Sequence, residues 1–523
     1  MLISGYGAGT NLTLQIRQMQ DQMGDLQRQL ATGKVSRDFA GLGGGRDVSL
    51  TMRAQLSKSS SYDQTISFVS GRLEATQLVL QRVEDILNDT AGGTLESNIE
   101  LTSEGKSVQQ MLADKRFEEM LALLNTEYED RSLFSGRKTD GSSNIGADAI
   151  MNGKNGRDGL LAIIDERQAA DVAGANGANG RIGVAASGAN GFTLTDEANP
   201  FGMKLRPGSQ LTSLPASGTD ASVAGPPNTI SFDLGATNPS VGNWISFEVA
   251  MPDGTNETIR LQAGAQGARD PEFVAVAGTY TPPLREPDDI KGFEIGTTVA
   301  DTAANLEAAV NAALAELAAE KLPNAGAIQA AEDFFAYDDP DSTTHPMRVN
   351  ATQDGWEPVA TAQATTVLWY TGEVGGGRAR DSAIAKIDDN LKVSYGARAN
   401  EDLFKDTLAA LAVFASEDFP VDDTENRSRY MDMADRVRFS VSGTETDQRS
   451  RAMQADFASV QVAVDEARQR HRFRDVLAED MIDRVESADD NLVATQLLAL
   501  QTQLQMSFQT TSILSRLSLA NVL

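Results

Sequence analysis

The last 33 residues, 491–523, constrain this chain more than any other stretch, because Arg516 is their only charged side chain. Leu497, Leu500, Leu504, Leu514 and Leu517 mark apolar anchors at helical spacing, and Gln, Ser and Thr fill most positions between them. An exposed helix normally carries charge on its wet face. Gln, Ser and Thr can enter a protein interior at far lower cost than ions, provided they find hydrogen bonds. The pattern predicts a helix made for the inside of a protein assembly.

The other end shares the habit, with Arg17 as the only charged side chain in the first 20 residues. Leu12, Ile16, Met19, Met23, Leu26 and Leu30 follow at intervals of 4, 3, 4, 3 and 4, a heptad stripe. Gly33 then offers a natural stop just past a helix. Neither end can bury its stripe alone, so the two are expected to pack together and to be poorly ordered in a free monomer. Such stripes also form the cores of ordinary bundles. The charge-poor faces of residues 12–30 and 497–517 favour subunit–subunit contact instead. Burying one Leu contributes roughly 1.5–3 kcal/mol, so Leu504→Asp is expected to damage assembly far more than monomer folding.

Further stripes lie inward. Ile66, Val69, Leu73, Thr76, Leu80, Val83 and Leu87 predict a helix buried within the chain. A helical stretch at about 105–128 carries Val108, Met111, Leu112, Met120, Leu121 and Leu124. Phe457, Val460, Val464 and Ala467 begin another stripe, continued by Ala478, Met481 and Val485, with His471 and Arg474 interrupting its register.

The middle has a different grammar. Residues 141–193 are rich in Gly, Asn and Ala, with GANG at 174–177, 177–180 and 188–191, which predicts a linker. Residues 229–234 and 244–249 alternate as strands, and Met251-Pro252-Asp253-Gly254-Thr255 marks a turn into a returning strand at 258–261. An Ala- and Leu-rich helix is expected at 302–321, a short strand within 388–397 and a helix at 401–415. The expected fold class is therefore mainly α at both termini, a long antiparallel bundle or coiled coil, around an inserted α+β or β-rich domain. The boundaries read as follows. Residues 1–35 form an N-terminal assembly helix, 36–140 a helical core and 141–195 a linker. Residues 196–375 form the insert, 376–485 return to the helical core, and 486–523 form a C-terminal assembly helix.

Composition removes several classes of function. The 523 residues carry 74 acidic and 45 basic side chains, a formal net charge of -29, which repels nucleic acid and anionic lipid. The chain has no cysteine, which excludes disulfides, thiolate nucleophiles and Cys-ligated metals. No run of 18 apolar residues predicts a membrane span, and the opening MLISGYGAGTNLTLQ has no basic start or apolar core of a cleaved secretory signal.

No catalytic, cofactor or metal site is expected. His345 lies in a loop and His471 in a run of arginines, both read as surface residues, and neither sits in a HExxH or triad pattern. Asp338-Asp339-Pro340-Asp341 and Asp422-Asp423 lack calcium-loop spacing and read as solvated turns. The GANG repeats lack the Gly-Lys-Ser/Thr of a phosphate loop. Trp244, Phe273, Tyr280 and Trp356 are scattered and form no evident sugar platform.

Helical Gln-rich ends, a variable middle and no cysteine together resemble the bacterial flagellin family. LQRQLATGKV at 26–35 is similar to the family's N-terminal helix ending, and LQTQLQMSFQTTSILSRLSLANVL at 500–523 to its C-terminal helix. The likeness covers roughly 1–140 and 450–523. DRSLFSGRKT at 130–139 resembles a segment of the family's hook–filament junction branch, hook-associated protein 3. VAMPDG at 249–254 and FEIGTTVADTAANL at 293–306 resemble an insert of alphaproteobacterial relatives. The resemblance implies a secreted structural motility protein of the flagellum. It would be exported unfolded by the type III apparatus and assembled as a homo-oligomer through its terminal helices. Implied partners are copies of itself, a neighbouring hook-associated protein, flagellin and an export chaperone. The implied location is extracellular, without a cleaved signal. Filament flagellin is the alternative within the family, and a surface adhesin acting through the insert is the alternative outside it.

Overall fold

The computed structural model describes residues 4–94, 106–138, 140–213, 221–222, 227–265, 291–419 and 424–520. Its helices are α1 (Ser4–Thr32), α2 (Arg46–Gly93), α3 (Val108–Leu124), α4 (Ala147–Asn152), α5 (Leu160–Asp171), α6 (Val299–Glu320) and α7 (Leu322–Ala336), followed by α8 (Val359–Thr365), α9 (Asp402–Ser416), α10 (Thr424–Ser442), α11 (Thr444–Glu486) and α12 (Asp490–Ala520). Its strands are β1 (Glu127–Tyr128), β2 (Arg131–Ser132), β3 (Ile182–Ala186), β4 (Gly191–Asp196), β5 (Lys204–Leu205), β6 (Leu211–Thr212) and β7 (Ala221–Ser222), then β8 (Thr229–Asp233), β9 (Trp244–Ala250), β10 (Asn256–Gly264), β11 (Lys291–Glu294), β12 (Ile384–Asp388) and β13 (Leu391–Ser394). Long helices at both ends thus surround a separate sheet-containing middle, the flagellin-like class expected from the sequence. No described helix is long and apolar enough to cross a membrane.

The chain forms two compact units, one of Met1–Ser70, Ala385–Val393 and Val460–Leu523, the other of Gly71–Ile384 and Ser394–Ser459. In the first unit α1 packs on α12, and Ile66 and Val69 of α2 are buried, as are Val464, Ala467 and Ala478 of α11. The residue that seems out of register in sequence completes this seam. His471 is 2% exposed, its ring stacks on Tyr62 at 5.4 Å, and Nε2 lies 2.9 Å from the Ile387 carbonyl oxygen of the β12–β13 hairpin. It is not a surface residue. An imidazole can continue an apolar stripe when one face stacks and its edge finds a carbonyl. Met481, by contrast, is exposed, and Ile482 takes the buried place beside it.

In the second unit two sheets share one core. The first has the order β3-β4-β8-β7; the second has β11-β10-β9-β5, with β6 also pairing with β9. All these pairings are antiparallel except β10–β11. Alternation fixes which side chains turn inward: Ile230 and Phe232 from β8, Ile245, Phe247 and Val249 from β9, and Ile259 and Leu261 from β10 are buried. Phe232 lies 5.3 Å from Phe192 and 5.8 Å from Phe247 between ring centres, and α6 supplies Leu306, Val310 and Leu314 to the same core. Arg436 of α10 fastens the β9–β10 turn, donating to Thr255 at 2.8 Å and pairing with Asp253, Glu257 and Asp432.

Several expectations need correction. Residues 141–195 are not a linker: they hold α4, α5, β3 and β4, and Ile163, Ile182, Phe192 and Leu194 are buried there. The GANG glycines at 174, 177, 180 and 188 lie in tight turns between these elements, and Gly191 opens β4. At Gly177 a Cβ would lie 1.9 Å from the Val172 carbonyl oxygen, so only glycine fits. The sheet core consequently begins before residue 196. The insert holds a second long helix, α7, whose Leu322 and Ala325 join that core. The single strand expected within 388–397 is half of the hairpin formed by β12 and β13. In α3 the chain enters the helix at a Ser107 capping box, leaving Val108, Met111 and Leu112 exposed while Phe117, Met120, Leu121 and Leu124 are buried.

Candidate assembly surfaces

α1 stops as its sequence predicts. Gly33 takes φ +65° and donates to the Gln29 carbonyl at 2.8 Å. Asp489 precedes α12 as its cap, and its Oδ1 accepts from the backbone of Asn491 at 3.0 Å and Leu492 at 3.1 Å. Ala488 N donates to Gly33 O at 2.8 Å and Val35 N to Glu486 O at 2.8 Å, so the end of α1 lies beside the start of α12 and the pair runs antiparallel.

The two predicted stripes meet each other first. Ile16, Met19, Met23 and Leu26 are half-buried on α1; on α12 Val493, Leu500 and Leu504 are buried and Leu497 is half-buried. Leu30 is exposed. The side chains of Leu12, Leu514 and Leu517 lie outside the described residues, as do Asp422, Asp423, Phe273 and Tyr280.

What remains outside the seam is the more informative surface. On α12 Leu492, Ala499, Met506 and Ile513 recur every seventh residue and all are exposed, Leu492 at 56%, Met506 at 56% and Ile513 at 58%. One side of α12 therefore holds the chain together while another presents a second heptad row. Sequence reading, which follows one stripe at a time, missed this row. The signal was the leftover apolar residues at a spacing of seven. The threonines of α12 ask little of water. Thr495, Thr502, Thr510 and Thr511 each donate a hydroxyl to the carbonyl four residues back, at 2.7 to 2.9 Å. A surface whose donors are already satisfied costs less to bury than a charged one. α11 adds an apolar face of Phe473, Val476, Leu477 and Met481, with Phe473 73% exposed.

The described residues hold no group of three or more His, Asp or Glu placed for a metal. A cleft of about 440 Å³ is lined by Arg380, Arg398, Arg449, Glu401 and Asp456, but its cations already pair inside the chain. Arg380 binds Glu401, Arg398 reaches Glu373 at 3.2 Å, and Arg449 pairs with Asp406. Such a cleft is a closed ionic network. His345 sits in its loop with Nδ1 at 2.9 Å from Thr344 Oγ1. Desolvation by packed neighbours and the carboxylates of Asp406, Asp253 and Asp333 push the Glu332 carboxyl up to about 7, although the residue as a whole is exposed to solvent. Within DRSLFSGRKT, Leu133, Phe134 and Ser135 are buried and Phe134 meets Phe404 edge-on at 5.6 Å, so the centre of this motif is core.

Residues 3–139 match the family model of the bacterial flagellin N-terminal helical region. No curated protein matches the chain. The family match spans α1, α2 and α3 and supports the bacterial flagellin family.

Proposed function

We propose, from a chain that carries a flagellin-type N-terminal region, that this protein is a structural subunit of the bacterial flagellum, and within that class the subunit of the hook–filament junction. The observation that carries the proposal is the α1–α12 pair, a charge-poor C-terminal helix held by its own N-terminal partner with a second apolar row left open. In this reading Ile16, Met19, Met23, Leu26, Leu497, Leu500 and Leu504 form the seam within each copy. Leu492, Met506 and Ile513 meet neighbouring copies, with Leu12, Leu30, Leu514 and Leu517 extending these surfaces. Each such side chain removed from water contributes about 1.5–3 kcal/mol.

The protein acts by polymerising and not by catalysis, outside the cell. Its neighbours are copies of itself, a hook-associated protein and flagellin, and a chaperone guards it before export. The junction branch rests on the likeness of residues 130–139; because the centre of that motif is core, it speaks for lineage more than for lattice position.

Immunogold labelling of intact flagella, with antibody against residues 200–370, tests both levels. Label confined to the hook–filament junction is the expected result. Label along the whole filament would make the chain a filament flagellin. Unlabelled flagella would overturn both and bring the adhesin reading forward.

A further inference from the structure

The helices of the first unit change direction at one place, and the Glu486 carboxylate sits there. α1 ends at Thr32 and α2 begins at Arg46; α11 ends at Glu486 and α12 begins at Asp490. The two connectors pair through Val35 N to Glu486 O and Ala488 N to Gly33 O, both at 2.8 Å. The Glu486 side chain turns the other way, toward α2. Oε1 accepts from Ser49 Oγ at 2.5 Å and Arg53 Nε at 3.0 Å, and Oε2 accepts from an Arg53 terminal nitrogen at 2.7 Å. Lys34 Nζ stands 3.9 Å from Oε2. The Glu486 side chain is 11% exposed and Ser49 is fully buried. One turn earlier, Gly45 packs on Val485 so closely that a Cβ would lie 2.4 Å from its Cγ1.

We propose that Glu486 is a positioning residue, setting the direction in which the α1–α12 pair leaves the α2–α11 pair and so the way the open row of α12 is presented. This rests on the assembly reading above. Its backbone oxygen holds the exit of α1 and its carboxylate holds α2, while its own chain links α11 to α12. The residue type matters: only a carboxylate offers two acceptor oxygens to the fork of Arg53 and to Ser49 together. Glutamine would turn an amide donor toward the guanidinium. The bonds from Arg53 and Ser49 also hold the carboxyl below its ordinary range, so it stays ionised at neutral pH.

Amide hydrogen exchange on the full chain, paired with polymer yield, tests the proposal. In Glu486→Gln the amides of Val35 and Ala488 are expected to exchange about tenfold faster, the equivalent of one lost charge-assisted hydrogen bond. Amides around Ile66 and Val464 stay unchanged, and polymer yield falls. The swap Arg53→Glu with Glu486→Arg restores both readouts, whereas a merely structural role would not recover yield along with exchange. Ser49→Ala, a milder change, gives a smaller acceleration of the same two amides. Unchanged exchange at Val35 and Ala488, or a loosened joint with full polymer yield, would overturn it. A wild-type chain that never polymerises, with exchange still faster in Glu486→Gln, would sink the assembly reading while leaving the joint in place.

Discussion

The two-sheet core of the second unit and the α1–α12 pair of the first solve the same problem to different degrees. The sheets alternate apolar and polar residues, turn every large inward side chain onto α6 or the facing sheet, and leave Phe232 and Phe247 at 2% exposure or less. The helix pair buries one stripe and leaves another open, with little charge beside it to make water the better neighbour. Sealed cores define domains that fold alone, while unsealed pairs define elements finished by something else. Both are apolar. What separates them is whether the chain supplies the second surface.

Four perturbations would break or sharpen that contrast. The largest effect belongs to the sealed region: Phe247→Ala is expected to cost about 3–5 kcal/mol in chemical unfolding of the sheet-containing unit, because it leaves a cavity among packed rings. Next comes the seam. Because Leu504 is buried within the single chain, Leu504→Asp is expected to damage the free chain as well as assembly, contrary to the reading from sequence, costing about 3 kcal/mol in the α1–α12 pair with the unfolding transition of the sheets unmoved. Circular dichroism during denaturation separates the two transitions. An unshifted α1–α12 transition would show that the seam contributes little. Met506→Asp probes the open row. The free chain is expected to change by no more than about 0.5 kcal/mol, while sedimentation shows loss of polymer. Equal damage from Met506→Asp and Leu504→Asp to the free chain would erase the distinction between the two faces.

The smallest effect concerns charge. The folded-state carboxyl of Glu332 is raised from 4.5 to about 7, so ionising it opposes folding. Below pH 4.5 the group is protonated in both states and carries no such cost. Between 4.5 and 7 the cost grows, and above 7 it is complete. Glu332→Gln should therefore raise Tm at pH 8 and leave it unchanged at pH 4, as a thermal melt series would show. An equal shift at both values would mean that its charge plays no part.

Much of this was legible from residue order. All seven residues of the 66–87 stripe are buried, and the strands at 229–234 and 244–249 appear as β8 and β9. Leu26 and Leu500, expected at contacts between subunits, line the α1–α12 seam within the chain instead, because heptad spacing places side chains on one face but does not say what lies opposite. Reading failed where composition stood in for contact. The glycines of 174–191 suggested a linker, yet they belong to an ordered segment. His471 looked like a surface residue among arginines, yet stacking on Tyr62 and a carbonyl of a hairpin some 80 residues earlier make it core.

The sequence by itself determined the periodicities: helices at both ends, strands between them and terminal faces poor in charge. Local geometry and solvation act on neighbours along the chain, so these properties are written in residue order. Only the tertiary structure decided which stripe meets which, that α12 carries one row to hold and another to offer, and that Glu486 reaches Ser49 and Arg53. Those contacts join positions more than 400 residues apart, and no local pattern specifies a partner at that distance.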